Sequence, residues 1–315
     1  MLDWLLIGLA FVFGIGLTRT SVCTVAAVRT HILEQDTRSL LCTLVAASAA
    51  GAVLLGLACI WPQQIRLPYD NSLPGWALLG GVILGAGALL NGGCYLGSIT
   101  YLCRGNLNFL FTLLGILAGA RFAATIFGMR LMPAVAQPST QLYFSVLGTF
   151  GCLLVLLTGL WLLAGRASGD KGSGRTSRRM GWAAALCGAV AAIIFARHPN
   201  WSYGTLLEQL AVADHMMLEP VVICSALALF AGAVIGSRHR WQWHAPTVLA
   251  SGRRFIGGIL LSIGALMVPG GNDTLLLWTI PGLASYGFIA FGAMLLTIAA
   301  GVLAERHFMR PSAPT

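Results

Sequence analysis

The stretch Asn91-Gly92-Gly93-Cys94-Tyr95-Leu96-Gly97 separates two long apolar runs of the chain, 75–90 before it and 107–127 after it. Polar and thiol-bearing side chains are costly in lipid. Glycines there favour a backbone that leaves the helix, and such a backbone needs other partners for its N–H and C=O groups. Such breaks occur where they line a cavity, and interrupted helices build the midplane binding sites of transporters. The stretch therefore predicts a broken membrane helix followed by a short re-entrant helix.

The composition indicates a membrane protein and excludes an ordinary soluble domain. The 315 residues are 57% hydrophobic and only 9% charged, and the mean hydropathy is +0.82. A sequence pI near 9.5 would suggest a nucleic-acid partner in a soluble protein. Here the basic residues lie in short loops between apolar runs, which is typical of membrane topology. We therefore expect an all-α polytopic protein with the lipid bilayer as its surroundings and no nucleic-acid partner.

Apolar runs predict nine membrane-spanning helices and four short re-entrant ones. Several runs are shorter than the roughly 20 residues that a full crossing needs, and each of these precedes a break with glycine, proline or asparagine. The first run has no basic segment before it, so we expect a membrane helix there and not a signal peptide. The predicted spans are 3–17, 39–61, 75–90, 107–127, 141–164, 181–197, 218–236, 253–268 and 284–304.

The breaks recur at a constant offset, which indicates an internal repeat. Cys23 and Cys94 are 71 residues apart, as are Asn200 and Gly271, and the second pair follows the first by 177 residues. The helix between the copies would invert the second one, as in many secondary transporters. We expect one membrane domain, 1–315, with a first repeat at 3–127, a connecting helix and basic cytoplasmic loop at 128–180, a second repeat at 181–304 and a cytoplasmic tail at 305–315.

The basic residues also predict the orientation of the chain. Fifteen of the 19 Lys and Arg residues fall on one side of the predicted spans, and only Arg66, Arg130 and Arg197 fall on the other. Because cytoplasmic loops carry an excess of Lys and Arg, this asymmetry predicts an outside N-terminus and a cytoplasmic C-terminus.

The four short helices would begin near Cys23, Cys94, Asn200 and Asn272 and would meet near the midplane. Helix N-termini present free N–H groups and a positive dipole end, so converging N-termini form an anion site. Cysteines there add polarisable S–H donors, which suit a small sulfur-containing anion. The predicted binding residues are two thiols that donate to the anion, Cys23 and Cys94, amides that hold its oxygens, at Gly93, Gly271 and Asn272, and two side chains that orient it, Asn91 and Asn200.

Plainer uses of these residues stay open at this stage. A free cysteine is often a buried packing residue, asparagine is a common helix cap, and glycine permits turns and close helix approach. The other six cysteines lie mostly in apolar runs, and none of the eight forms a C-x-x-C pair, so we expect neither a disulfide framework nor a zinc site. Arg19, Arg104 and Arg121 are further candidates for attracting an anion.

Three motifs resemble the YeeE/YedE family of sulfur-transport membrane proteins, over about residues 5 to 304. They are Gly14-Ile15-Gly16 with Cys23, Gly92-Gly93-Cys94-Tyr95-Leu96-Gly97 with Arg104-Gly105-Asn106-Leu107, and Pro269-Gly270-Gly271-Asn272-Asp273 with Pro281-Gly282-Leu283. The resemblance implies thiosulfate uptake across the bacterial inner membrane, with cysteines that relay the anion along a central path. Cys23 and Cys94 match the first two of these cysteines.

The chain departs from the family pattern at the third cysteine, where Gly270-Gly271-Asn272 stands. Another sulfur or selenium species therefore stays open as the substrate. The resemblance also suggests a separate TusA-like sulfur carrier protein as a partner on the cytoplasmic side.

Two other functions compete with a permease that uses no cofactor. A membrane thiol-dependent sulfurtransferase would form a persulfide on Cys94 and would need a nearby base, but none of the six histidines accompanies Cys94 in sequence. A membrane anchor without transport of its own is the third possibility. No Gly-x-x-x-x-Gly-Lys-Ser/Thr loop is present, which argues against a built-in ATPase. We expect a permease and not an enzyme.

Overall fold

A computed structural model describes residues 2–20, 22–68, 74–128, 136–138, 142–165, 171–199, 201–212, 220–268 and 270–308 of the chain. Within these ranges, nine helical segments are long and apolar enough to cross a membrane. This confirms the predicted all-α polytopic membrane fold. In chain order the described helices are α1 (Leu2–Arg19), α2 (Thr24–Glu34), α3 (Arg38–Ile60), α4 (Pro74–Asn91), α5 (Tyr95–Cys103), α6 (Leu110–Ile126), α7 (Leu142–Gly165), α8 (Lys171–Arg197), α9 (Tyr203–Val212), α10 (Pro220–Ser237), α11 (Val248–Met267), α12 (Asn272–Thr274) and α13 (Ser285–Phe308).

The helix ends follow local sequence chemistry. The helices α4 and α10 both begin at a proline, where the missing N–H costs nothing because the first helical N–H groups have no partner within the helix. The helix α8 differs from the prediction, since it begins at Lys171 and not near 181. The basic stretch that was expected to be a loop therefore continues the helix from 171 onward. Arginine is a good helix former, so a charged sequence extends a helix readily once it has left the lipid.

Two smaller features were not predicted. Arg66–Pro68 (β1) pairs antiparallel with Ala136–Pro138 (β2), which makes a two-stranded ribbon between membrane helices. The short helix that begins at Asn272 continues as a π-helix over Leu275–Thr279, and all five residues of this segment are buried. π-helical segments are rare and occur often at functional sites.

Helix contacts occur twice, and the helices of the second contact are shifted by 177 residues in sequence relative to those of the first. The contact of α1 with α10 has a counterpart in that of α8 with α3, and the contact of α4 with α13 has one in that of α11 with α6. Glycines at equivalent positions allow two of these close approaches, because a Cβ on Gly81 would collide with the Ala290 carbonyl and one on Gly258 with the Thr112 carbonyl. The inverted repeat and the re-entrant course of the short helices stay predictions, which these matched contacts support.

Candidate anion-binding site

The structure brings together two of the predicted site residues as neighbouring thiols. Cys94 Sγ donates a hydrogen bond to Cys23 Sγ over 3.7 Å, across 71 residues of sequence. Cys23 is the N-cap of α2 and Cys94 the N-cap of α5, each with extended backbone. Cys94 is fully buried and Cys23 is partly buried. Two helix N-termini therefore meet at a dithiol, as the spacing predicted.

Backbone N–H groups surround the two sulfurs. Those of Gly97 and Thr24 lie near the Cys94 sulfur, and those of Ala26 and Cys94 lie near the Cys23 sulfur, although neither thiol makes a regular capping hydrogen bond. Gly97 leaves room for this approach, because a Cβ at that position would lie 2.5 Å from Cys23 Sγ. The environment of the sulfurs is therefore rich in donors and suits a polarisable anionic sulfur.

The proximity of the thiols predicts a specific oxidation product. We expect diamide to convert Cys23 and Cys94 to an intramolecular disulfide, with the two hydrogens and two electrons of the thiols transferred to the reagent. Peptide mass mapping after alkylation should find these two cysteines joined. Cys103, which is buried against the Phe230 carbonyl, should remain alkylatable after unfolding, and a mixture of random cysteine pairs would contradict the geometry.

The break before Cys94 is closed by a glycine cap. Gly92 has a φ of +69°, its N–H donates to the Leu89 carbonyl at 3.1 Å, and the Gly93 N–H donates to the Ala88 carbonyl at 3.1 Å. These are the two hydrogen bonds of a Schellman motif, which ends α4 and turns the chain towards α5. The Gly93 amide, predicted to hold the anion, therefore already has a partner within the protein.

Asn91 holds the same break from inside. Its Nδ2 donates to the Gly93 carbonyl at 2.6 Å and to Ser98 Oγ at 2.8 Å, and its Oδ1 accepts from Thr112 Oγ1 at 2.6 Å. The Arg254 guanidinium donates to its backbone carbonyl. The structure therefore places Asn91, predicted to orient the anion, as the residue that joins α4, α5 and α6.

Removing this side chain should destabilise the protein. Asn91→Ala leaves buried hydrogen-bonding groups of Gly93, Ser98 and Thr112 without one partner each, so we expect the free energy of unfolding to fall by about 2 to 4 kcal/mol. Thermal unfolding of the purified protein in detergent measures this. The exposed Gln64→Ala serves as the control, and equal midpoints for the two variants would contradict the role of Asn91.

The break of the second half supplies Asn272 to the dithiol. Its Oδ1 accepts from the Tyr95 backbone N–H at 3.0 Å, and its side chain lies beside Cys94. Its Nδ2 is buried and has no hydrogen-bond partner. Buried donors without a hydrogen-bond partner are uncommon in native structures, so this amide is a candidate to bind a ligand. The predicted residue Asn272 therefore lies beside the dithiol.

Gly271 precedes Asn272 as the N-cap of α12. A Cβ at this position would lie 2.7 Å from Asp273 Oδ1 and 3.0 Å from two ring atoms of Tyr95. The ring of Tyr95 thus packs directly against Gly271 and leaves little room for a larger side chain there. This explains why a glycine stands in this break, where the family pattern led us to look for a third cysteine.

Asn200, the last predicted residue, lies outside the described residues. The segment that follows it does reach the site. Ser202 Oγ donates to Asp273 Oδ2 at 2.6 Å, and Tyr203 Oη donates to the Tyr95 carbonyl at 2.7 Å. The start of α9 is therefore hydrogen-bonded to the start of both α12 and α5.

Sequence reasoning missed a buried acid in this region. Glu208 of α9 is 2% exposed, and its Oε1 accepts from Tyr95 Oη at 2.9 Å. Asp273, named from the sequence only as part of a motif, is also buried and leaves Oδ1 without a partner. The signal for Glu208 was its position as the acidic residue in an apolar helical run, because ionisable residues within membrane segments are rare and mostly functional.

Two arginines, Arg104 and Arg254, also lie near the Cys94 break. The Arg104 guanidinium donates to the Thr18 carbonyl at 2.9 Å, and the Arg254 guanidinium lies 4.4 Å above the Phe109 ring, on which Tyr101 stacks. In the part of the chain that the structure describes, neither arginine forms an ion pair with a carboxylate. Of the arginines suggested from sequence, Arg104 is near the dithiol, whereas Arg19 and Arg121 are exposed.

The chain matches the family model described as sulphur transport, and the match covers residues 19–300. The chain belongs to the sulphur transport family. This confirms the resemblance found in the motifs. A comparison with curated proteins finds no match.

The site chemistry fits a member of the sulphur transport family. The Cys23–Cys94 pair, the Asn272 amide and the unpaired arginines are all donors or positive charges, and all lie within the matched residues. Among the described residues no group of three or more His, Cys, Asp or Glu side chains is arranged to hold a metal ion. The chain is thus a multi-pass membrane protein of this family with a group of donors around a pair of neighbouring thiols.

Proposed function

We propose that the protein carries thiosulfate, or a closely similar sulfur anion, inward across the bacterial inner membrane along a path that passes Cys23 and Cys94. The observation that carries this proposal is the contact of the two thiols at the N-caps of α2 and α5, beside the partnerless amide of Asn272. Three donor groups of this kind in a buried site favour an anion with both a terminal sulfur and oxygens.

Each residue has a separate part in this proposal. The thiols of Cys23 and Cys94 donate to the terminal sulfur in turn, and the Asn272 amide donates to an oxygen of the anion. Gly271 makes room for the ring of Tyr95. Asn91 and Gly93 stabilise the conformation of the break through their hydrogen bonds within the protein. Asn200 stays a prediction for the entry to the site.

The proposed inward path would place two arginines at its cytoplasmic end. With the N-terminus outside and the C-terminus cytoplasmic, as the distribution of basic residues predicts, Arg104 and Arg254 lie on the cytoplasmic side of the dithiol. Their uncompensated positive charge draws the anion away from the thiols after it has passed them. A TusA-like carrier is the partner that we propose for the released sulfur species.

Uptake by the purified protein in liposomes tests the proposal. We expect radiolabelled thiosulfate to enter proteoliposomes faster than protein-free vesicles, and unlabelled thiosulfate to compete better than sulfate, which lacks the terminal sulfur. Sulfite and selenite define the remaining specificity. Vesicles that take up none of these anions above the protein-free rate would refute transport and leave a membrane anchor as the better explanation.

A further inference from the structure

The buried Glu208 has no use in the anion path described so far. Its carboxylate is 2% exposed, and Oε1 accepts from Tyr95 Oη at 2.9 Å and from Ser262 Oγ at 3.4 Å. A buried carboxylate is expensive unless a cation pairs with it or a proton neutralises it. The surroundings of Glu208 decide between these two possibilities.

The groups around Glu208 are acidic or neutral. Tyr95 and Asp273 face it from α5 and α12, Ser262 faces it from α11, and Tyr203 lies on its own helix. In the described residues no cation pairs with Glu208. The charged and titratable residues of the other helices packed against this region are directed elsewhere: Arg121 of α6 and Cys224 of α10 are exposed, and Arg253 and Arg254 lie more than two turns from Ser262 along α11.

Tyr95 connects this acid to the dithiol. Its hydroxyl donates to Glu208, its backbone N–H donates to Asn272, and its carbonyl accepts from Tyr203. It also directly follows Cys94 in the chain. One rigidly held residue therefore touches the acid through its side chain and the anion site through its backbone.

A second buried acid, Asp273, makes a proton on Glu208 favourable for anion binding. Asp273 lies next to Asn272, accepts from Ser202 on one oxygen, and leaves its other oxygen without a partner. With both acids ionised, an arriving anion meets two buried negative charges in a region of low dielectric constant, where like charges repel strongly. A proton on Glu208 removes one of these charges without disturbing the hydrogen bonds of Tyr95.

We propose that Glu208 is a proton-binding site, and that the protein carries a proton inward together with the sulfur anion. The proton binds a carboxylate oxygen of Glu208 while the anion occupies the dithiol, and both leave on the cytoplasmic side. The anion itself undergoes no covalent change. This inference rests on the proposed function, since it concerns the same site.

Proteoliposomes with a trapped pH dye test the coupling. With the voltage held at zero by potassium and valinomycin, thiosulfate added outside wild-type vesicles should acidify the lumen. An acid-outside gradient of one pH unit should support about tenfold accumulation of thiosulfate if one proton accompanies each anion. Glu208→Gln should bring this ratio to about one. Glu305→Gln, which removes a partly exposed carboxylate paired with Arg29, should keep the wild-type ratio.

The outcomes separate this inference from the proposed function. Thiosulfate uptake without lumenal acidification, or a wild-type ratio in Glu208→Gln, overturns proton coupling and leaves transport intact. Absence of uptake refutes the transport proposal. Infrared spectroscopy of the purified protein then decides whether Glu208 binds a proton, because it detects the carbonyl stretch of a protonated carboxylic acid without any transport.

The infrared measurement also tests the proposal with variants that do not transport. We expect the wild-type band at neutral pH to be absent in Glu208→Gln and unchanged in Glu305→Gln. Tyr95→Phe keeps the ring contact with Tyr203 and removes only the hydroxyl that donates to Glu208, so it should shift the band. A spectrum in which neither Glu208→Gln nor Tyr95→Phe alters a carboxylic acid band overturns the proposal.

Discussion

Cys94→Ala should lower the initial rate of thiosulfate uptake by about tenfold to a hundredfold. The variant removes an S–H donor at the N-cap of α5, and a hydrogen bond to a charged group is worth about 1.5 to 3 kcal/mol. It leaves the fold largely intact, since the thiol makes no regular capping bond. Uptake by proteoliposomes that contain equal amounts of folded protein measures the effect.

The matched control is Cys152→Ala. Cys152 is also a free, partly buried cysteine, but it lies on α7, where its sulfur faces Gly51 and not the dithiol. We expect it to transport at the wild-type rate, and Cys23→Ala to lose transport as Cys94→Ala does. If all three variants lose the same fraction of activity, or none does, the cysteines are packing residues and the relay is wrong.

The state of Cys94 after exposure to thiosulfate distinguishes a transporter from a membrane sulfurtransferase. A persulfide on Cys94 would need a base to activate the thiol. Among the described residues, the hydrogen-bond partner of Cys94 Sγ is another thiol and not a histidine or a carboxylate. We therefore expect no persulfide on Cys94 after incubation with thiosulfate. Mass spectrometry of the intact protein would show the added sulfur if the enzyme alternative were correct.

The parts of the fold that the sequence predicted are those set by local chemistry. Apolar runs of sufficient length have few structural choices in lipid, so the nine spans followed from length and hydropathy. The two cysteines were predicted to meet because each stands at the start of a short helix after a break, and the structure places both at helix N-caps. The end of α4 at Gly92 followed from the glycine pair, since a residue with positive φ is most easily glycine.

The parts that the sequence did not predict depend on hydrogen bonds across the fold. Sequence shows that Asn91 and Gly93 lie in a break, but not that Thr112 and Ala88 take up their hydrogen-bonding groups. One hydrogen-bond partner of Glu208 is likewise more than 100 residues away, at Tyr95. A polar residue in a break can face the path or support the backbone, and only its partners distinguish these two uses.

Gly97→Ala should strongly lower transport although it adds a single methyl group. Its Cβ would lie 2.5 Å from Cys23 Sγ, a distance that forces the thiol away from Cys94. Loss of the shared position of the two donors should lower uptake by about tenfold or more, and the diamide cross-link between Cys23 and Cys94 should form more slowly. Both measurements use the same preparation.

The control for this variant is Gly292→Ala on α13, where an added Cβ meets no atom within 4 Å. It adds the same methyl group to a membrane helix, so any general cost of replacing a helical glycine appears in both variants. Fast cross-linking together with lost uptake in Gly97→Ala would mean that the thiols still meet and that the space beside them matters. Normal uptake with slow cross-linking would mean that transport does not need the two sulfurs to be in contact, and the relay between them would have to be abandoned.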